Sequence, residues 1–172
     1  MHFKQGEFYR LTDLNNLKPL LADGILQKVG PRLYYCPEQS RFGAVPPEAH
    51  ALIKAFLKTD QFLLFSFNVY NQLGIGTTQL YNETIVYNHQ RHGKIKLANR
   101  KFTFKRKLNF PLKLTIEYLV VDLVNNNHLI AEDPVAILEN VKRTVLMMDQ
   151  TILTDNLARY GSAKTKRMFS FL

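Results

Sequence analysis

The sequence has no tryptophan and a single cysteine, Cys36. One cysteine excludes an internal disulfide and a cysteine-based zinc site. Cys36 sits in the apolar run Leu33-Tyr34-Tyr35-Cys36-Pro37, which predicts a buried thiol. No apolar run approaches the roughly 20 residues that a membrane-spanning helix needs. The opening residues Met1-His2-Phe3-Lys4-Gln5-Gly6 carry no apolar signal core. No membrane partner and a cytoplasmic location are therefore expected. Acids are also scarce, 14 Asp and Glu against 23 Lys and Arg, for a net charge of +9. Such an excess favours phosphate-rich polymers or anionic surfaces over acidic proteins or cations as partners.

Catalytic signatures are missing as well. There is no Gly-x-Ser-x-Gly and no paired-carboxylate metal motif. Glu117 and Asp122 fall on different faces of one predicted helix, because a spacing of five does not repeat on a helix. Glu132-Asp133 reads as helix-start chemistry. His89 and His92 lie in the loop Asn88-His89-Gln90-Arg91-His92-Gly93 with no carboxylate beside them to complete a two-histidine, one-carboxylate metal site. Gly74-Ile75-Gly76-Thr77-Thr78 follows a helix and lacks the Gly-Lys-Ser/Thr ending of a phosphate loop, so it reads as a helix stop and turn. No enzyme, cofactor or metal is expected.

What is present is a patterned globular chain, 46% hydrophobic and without repeats or low-complexity tracts. Periodicity breaks between Pro37 and Pro47, and a boundary is placed near residue 42, dividing residues 1–42 from 43–172. Before it, Leu11, Leu14, Leu17, Leu20 and Leu21 recur at helical spacing. Asn15, Asn16 and Pro19 interrupt them, which predicts two short helices with Pro19 in the first turn of the second. Gly24 ends that helix. Residues 25–29 and 32–36 read as strands joined at Gly30-Pro31. Two short helices and a tight hairpin make a winged-helix-like unit.

After the seam, residues 47–58 read as a helix and 62–65 as a buried strand. Ser66 caps a helix that Gly74 stops. Residues 84–87 read as a strand, and 93–97 with 101–107 as a hairpin across Ala98-Asn99-Arg100. Helices follow from Thr115, from Asp133-Pro134 to about residue 147, and from residue 151 to Gly161. The tail 164–172 is weakly helical. The expected fold class is α+β, a winged-helix-like unit followed by an antiparallel sheet packed with helices.

The hairpin is the most informative feature. Strand alternation puts Ile95, Leu97, Phe102 and Phe104 on one face. The other carries Lys94, Lys96, Lys101, Thr103, Lys105 and Lys107, with Arg91, His92 and Arg100 at the turns and no acid among them. Like charges on neighbouring strands repel, and a polyanion relieves that repulsion. Such lysines also protect sheet edges from aggregation. Lys28 and Arg32 flank the rigid tip Gly30-Pro31, placed for phosphate contact. Asn16 and Lys18 lie at the start of the second short helix, where asparagine reads adenine or simply makes a turn. Tyr34, Tyr35, Phe65, Phe67, Tyr81 and Tyr87 are core residues or, in an RNA-binding module, stacking surfaces.

The run Asp23-Gly24-Ile25-Leu26-Gln27-Lys28-Val29-Gly30-Pro31-Arg32-Leu33-Tyr34-Tyr35-Cys36-Pro37 resembles the wing passage of AbiEi-like antitoxins of type IV toxin–antitoxin systems. Ser40-Arg41-Phe42-Gly43 with Val45-Pro46-Pro47 is similar to that family's linker. Leu73-Gly74-Ile75-Gly76-Thr77-Thr78-Gln79, Val86-Tyr87-Asn88, Arg91-His92-Gly93 and Val121-Asp122-Leu123-Val124-Asn125-Asn126 add to the resemblance, which runs to about residue 145 by the order of these motifs. It implies a winged helix that binds double-stranded promoter DNA, represses its own operon and is partnered by a nucleotidyltransferase-like toxin. The stretch 9–24 is short for a full helix-turn-helix, which shifts the binding toward the basic hairpin. Two other readings stand beside it: a module that neutralises a toxin by contact, and an RNA-binding protein or ribonuclease using His89 and His92.

Overall fold

The computed structural model describes residues 2–170, a mixed α+β architecture. The chain opens with β1 (Phe8–Arg10), a 3-10 turn (Leu11–Asp13) and α1 (Leu17–Ala22). β2 (Gln27–Gly30) and β3 (Leu33–Tyr35) follow, and the three strands form an antiparallel sheet in the order β1-β3-β2. The expected first helix is only the 3-10 turn, because Asn16 turns left-handed (φ 55°) and cuts the leucine pattern. Pro19 is tolerated as the third residue of α1, where its missing N–H has no intrahelical partner to lose.

β4 (Gln39–Ser40) and β5 (Gly43–Ala44) make a small hairpin with residue 42 at its tip. α2 (Ala49–Leu57) starts at Glu48, whose carboxylate accepts from the His50 and Ala51 amides. β6 (Phe62–Phe65) leads to a helix at Phe67–Leu73 that is 3-10 rather than α. Its buried residues Phe67, Tyr70 and Leu73 recur every third position, the period of a 3-10 helix. Ser66 caps it and left-handed Gly74 stops it, as expected.

β7 (Thr84–Asn88), β8 (Gly93–Leu97) and β9 (Arg100–Arg106) complete a four-stranded sheet in the order β6-β7-β9-β8. This sheet is mixed and not purely antiparallel, since β7 and β9 run parallel. The β8–β9 hairpin turns through Ala98 and Asn99, both left-handed, and folds β9 back into the sheet interior. Phe102 and Phe104 are thereby buried at its centre, and lysine-bearing β8 is left at the edge. α3 (Ile116–Asn125), α4 (Pro134–Val145), α5 (Gln150–Tyr160) and α6 (Ala163–Met168) follow, with Thr115, Asp133, Asp149 and Ser162 as their caps. Residues 171 and 172 of the expected helical tail lie outside the described residues.

The four-stranded sheet separates two cores. Leu63, Phe65, Ile85 and Tyr87 pack with Leu119, Leu123, Ile137 and Leu153 of the helical layer. Phe62, Val86, Leu97, Phe102 and Phe104 pack with Leu52, Ile53 and Leu57 of α2 and with Val29, Leu33 and Tyr35 of the first sheet. The chain on either side of residue 42 therefore shares one core, and the Ala98 amide donates to the Val29 carbonyl at 2.7 Å across the junction. Cys36 is buried and unpaired, packed near Leu26 and Tyr34. No helix among the described residues is long and apolar enough to cross a membrane.

A buried charge interrupts the first core. Asp122 of α3 is 0% exposed. Its carboxylate accepts from the hydroxyls of Tyr70 (2.8 Å), Tyr87 (3.1 Å) and Tyr118 (3.3 Å) and pairs with the Lys107 ammonium at 3.1 Å. The Asn126 side-chain amide donates to the Tyr87 hydroxyl at 3.0 Å. Burial, and after it the charge of Asp122, pushes all three hydroxyls upward from the ordinary tyrosine value, so they remain protonated donors. A buried carboxylate is tolerable only when it is this fully satisfied. Asp122→Ala leaves three hydroxyls and an ammonium without their acceptor. It is expected to cost about 3–5 kcal/mol in urea unfolding. Asp155→Ala, at an exposed pair, is expected to change stability by less than about 1 kcal/mol. Equal effects from the two would contradict the role given to Asp122.

Candidate nucleic-acid interface

The β8–β9 hairpin alternates as strand geometry requires. Ile95, Leu97, Phe102 and Phe104 face α2 and the first sheet, with Phe56 and Phe104 rings 5.6 Å apart. Lys94, Lys96 and Lys101 are exposed on the other face, Lys94 opposite Thr103 and Lys96 opposite Lys101. The Lys96–Lys101 pair sets like charges directly across two strands, an arrangement that is destabilising unless an anion intervenes.

Several expected members of this face lie elsewhere. The expectation of no acid in the patch is overturned by Glu83, which pairs with Lys94 at 3.3 Å and accepts from the Thr103 hydroxyl. The Thr103 hydrogen bond, opposed by burial and reinforced by Lys94, holds the Glu83 carboxyl below its usual range. Lys105 is half-buried, its ammonium 5.3 Å from the Phe67 ring centre. Burial and then the nearby Lys107 charge lower its pKa. Lys107 lies beyond the strand end and turns inward to Asp122. Arg100 donates to the Pro47 carbonyl at 2.6 Å and Arg91 stacks on Phe56, so both belong to the α2 side. His92 is exposed in the turn before β8. The face reduces to Lys94, Lys96 and Lys101, with Lys94 partly neutralised.

The fold adds a cation that the hairpin alone does not contain. A cleft of about 400 Å³ runs between the β2–β3 tip and the β8–β9 turn, lined by Lys28, Gly30, Pro31, Lys96, Ala98 and Asn99. Lys28 and Lys96, 68 positions apart in the chain, thus border one hollow. Gly30 permits this approach, since a Cβ there would stand 2.7 Å from Cδ2 of buried Leu97. Arg32 is exposed at the tip in a left-handed conformation (φ 55°). Asn16 serves as the left-handed residue before α1 without a side-chain cap bond, which is the turn role, and Lys18 is exposed on that six-residue helix.

The other motifs resolve into structural roles. Tyr34, Tyr35, Phe65, Phe67 and Tyr87 are buried, which removes them as stacking surfaces for single strands. Tyr81 is half-buried and its hydroxyl accepts from the Ala131 amide. The amides of Thr78 and Gln79 donate to the Glu132 carboxylate (2.8 and 3.0 Å), so an acid already occupies the segment that superficially suggests a phosphate loop. Asp133 caps α4 as expected, whereas Glu132 reaches back to that turn. The Nδ1 of His89 lies 3.0 Å from the Lys107 carbonyl, and its ring stacks on Phe110. Among the described residues no cluster of three His, Cys, Asp or Glu is placed to hold a metal ion.

No known protein family matches the chain, and neither a curated protein nor a solved structure matches it.

The contact at Gly30 is directly testable. Gly30→Ala forces the tip away from Leu97, and overpacking of this kind costs about 1–3 kcal/mol. Urea unfolding is expected to show that loss, and the amide resonances of Ala98 and Asn99 are expected to shift with it. Unchanged stability and unchanged resonances would show that the tip does not depend on the close approach.

Proposed function

We propose that this chain binds double-stranded DNA as a transcriptional regulator of the antitoxin type, through the surface formed by the β2–β3 tip and the β8–β9 hairpin. The observation that carries the reading is the cleft that Lys28 and Lys96 share, continuous with exposed Lys101. Phosphates entering there relieve the Lys96–Lys101 repulsion and release counterions. β2 and β3 act as the wing, and α1 takes the place of the recognition helix in a winged-helix unit. Six residues span only about 9 Å, so α1 reads few bases and the phosphate contacts dominate affinity. The chain is not an enzyme in this reading and needs no cofactor. Its operon and its partner, a nucleotidyltransferase-like toxin in the cytoplasm, follow from the antitoxin likeness.

Fluorescence anisotropy with the gene's own upstream duplex, a scrambled duplex and a single-stranded RNA, across a salt series, tests it. Tightest binding is expected for the upstream duplex. Lys28→Ala with Lys96→Ala is expected to lower the slope of log affinity against log salt by about 2, since each lost phosphate contact removes about 0.9. An unchanged slope, or equal weak binding to all three polymers, would sink the proposal. The second reading, a module that neutralises a toxin by direct contact, is favoured by Leu146 and Met147, which are 67% and 84% exposed where α4 gives way to α5. Co-purification with the neighbouring gene product, lost in Leu146→Asp with Met147→Asp, is its signature.

A further inference from the structure

The far end of β9 holds a second surface that the duplex reading does not use. β9 has seven residues, so its ends lie about 20 Å apart. At this end the segment 107–110, the end of α3 and the α5–α6 corner border an open groove. It comprises two adjoining hollows of about 400 and 410 Å³ that share Leu108, Asn109, Arg159 and Tyr160. The first also contains Lys107, Asn126 and Ser162, and the second His89 and Phe110.

The groove combines fixed cations with flat rings. Lys107 is held from below by Asp122 at 3.1 Å and by the Tyr87 ring, whose centre is 3.7 Å from the ammonium. It keeps 28% of its side chain exposed and borders the groove. Arg159 is tied to Asp155 through Nε at 2.9 Å, also interacts with the Tyr160 side chain, and remains 64% exposed. His89 lies against Phe110 at 4.7 Å with the rings 28° from parallel, its Nδ1 anchored to the Lys107 carbonyl. Tyr160 stands edge-on to Tyr118. Gly161 makes the corner possible, since a Cβ there would be 2.6 Å from the Leu157 carbonyl oxygen.

This arrangement also explains the buried carboxylate. Apolar residues in place of a buried ionic cluster are often as stable or more so. Lys107 and Asn126 are the members of the Asp122 network that border the groove, and Asp122 with the Tyr87 ring fixes where the Lys107 ammonium stands. A fixed ammonium and a guanidinium suit a phosphate, and ring faces beside them suit a base. The volume lies within the range of small-ligand sites.

We propose that this groove binds a nucleoside monophosphate, its phosphate at Lys107 and Arg159 and its base against the His89 and Tyr160 rings. The site is separate from the duplex surface and does not rest on it. The test is an NMR titration of the full chain with AMP, adenosine and inorganic phosphate. AMP is expected to shift the amides of residues 107–110 and 159–162 and to bind at least about tenfold more tightly than adenosine or phosphate alone. Arg159→Ala, at an exposed position, is expected to weaken AMP binding about tenfold, and His89→Ala to reduce it to the level of inorganic phosphate. Lys28→Ala with Lys96→Ala is expected to bind AMP as the parent does, and Arg159→Ala to bind the upstream duplex as the parent does, so that the two sites fail separately. No AMP-dependent shift in those segments, an Arg159→Ala protein that binds AMP unchanged, or adenosine or phosphate binding as tightly as AMP would each overturn the proposal.

Discussion

A carboxylate with no contact with water must be surrounded by donors, and Asp122 recruits them from its own helix and from three segments distant in the chain. Tyr70 comes from the 3-10 helix, Tyr87 from β7, Tyr118 from its own helix one turn earlier, and Lys107 from the end of β9. Each bond is short-range and directional, unlike the apolar contacts around it, which tolerate sliding. Slipping β7 by one residue would turn Tyr87 to the opposite face and leave the carboxylate under-satisfied. The network therefore fixes register as well as contributing to stability.

Register then decides the surface chemistry. With Tyr87 facing α3, Val86 faces α2, and the parallel pairing carries the same alternation into β9. Phe102 and Phe104 turn inward and Lys101 and Thr103 outward, and β8 follows with Lys94 and Lys96. The helical layer covers β6 and β7 on that side, while β8 at the edge is left with its lysines in solvent. On the other side the β2–β3 tip docks against Leu97 through Gly30 and brings Lys28 to Lys96. Both candidate binding surfaces are thus consequences of one sheet register, one at each end of β9.

Much of this was legible in the sequence, for local reasons. The caps at Ser66, Thr115 and Asp133 and the stop at Gly74 are short-range chemistry, and the structure places them where the sequence reading did. The alternation of the hairpin and the burial of Cys36 followed from period and composition. What was hidden depends on contacts distant in the chain. β1 is three residues long and carries no pattern of its own; it exists because it pairs with β3. The parallel pairing of β7 with β9 is a property of the hairpin folding back, not of either strand. Glu83 lies 11 positions before Lys94, so its place beside the lysines appears only once the sheet is ordered. The spacing of Asp122 from Glu117 speaks only to catalytic pairing and carries no sign of its burial. The usable signal was the apolar helix around it, since an acid flanked by Leu119, Val121 and Leu123 has to be buried with partners.

The most direct test of the network is an alkaline titration of the tyrosines, followed by tyrosinate absorbance alongside far-ultraviolet circular dichroism. The chain has eight tyrosines. Hydroxyls whose native pKa is raised leave stability intact below the ordinary tyrosine value of about 10 and withdraw it as pH rises beyond, because only the unfolded chain ionises them there. Tyr70, Tyr87 and Tyr118 are therefore predicted to stay protonated while exposed tyrosines ionise, and then to ionise together with the loss of helical signal. Ionisation of all eight in one reversible step near pH 10, with the fold intact, would contradict the account.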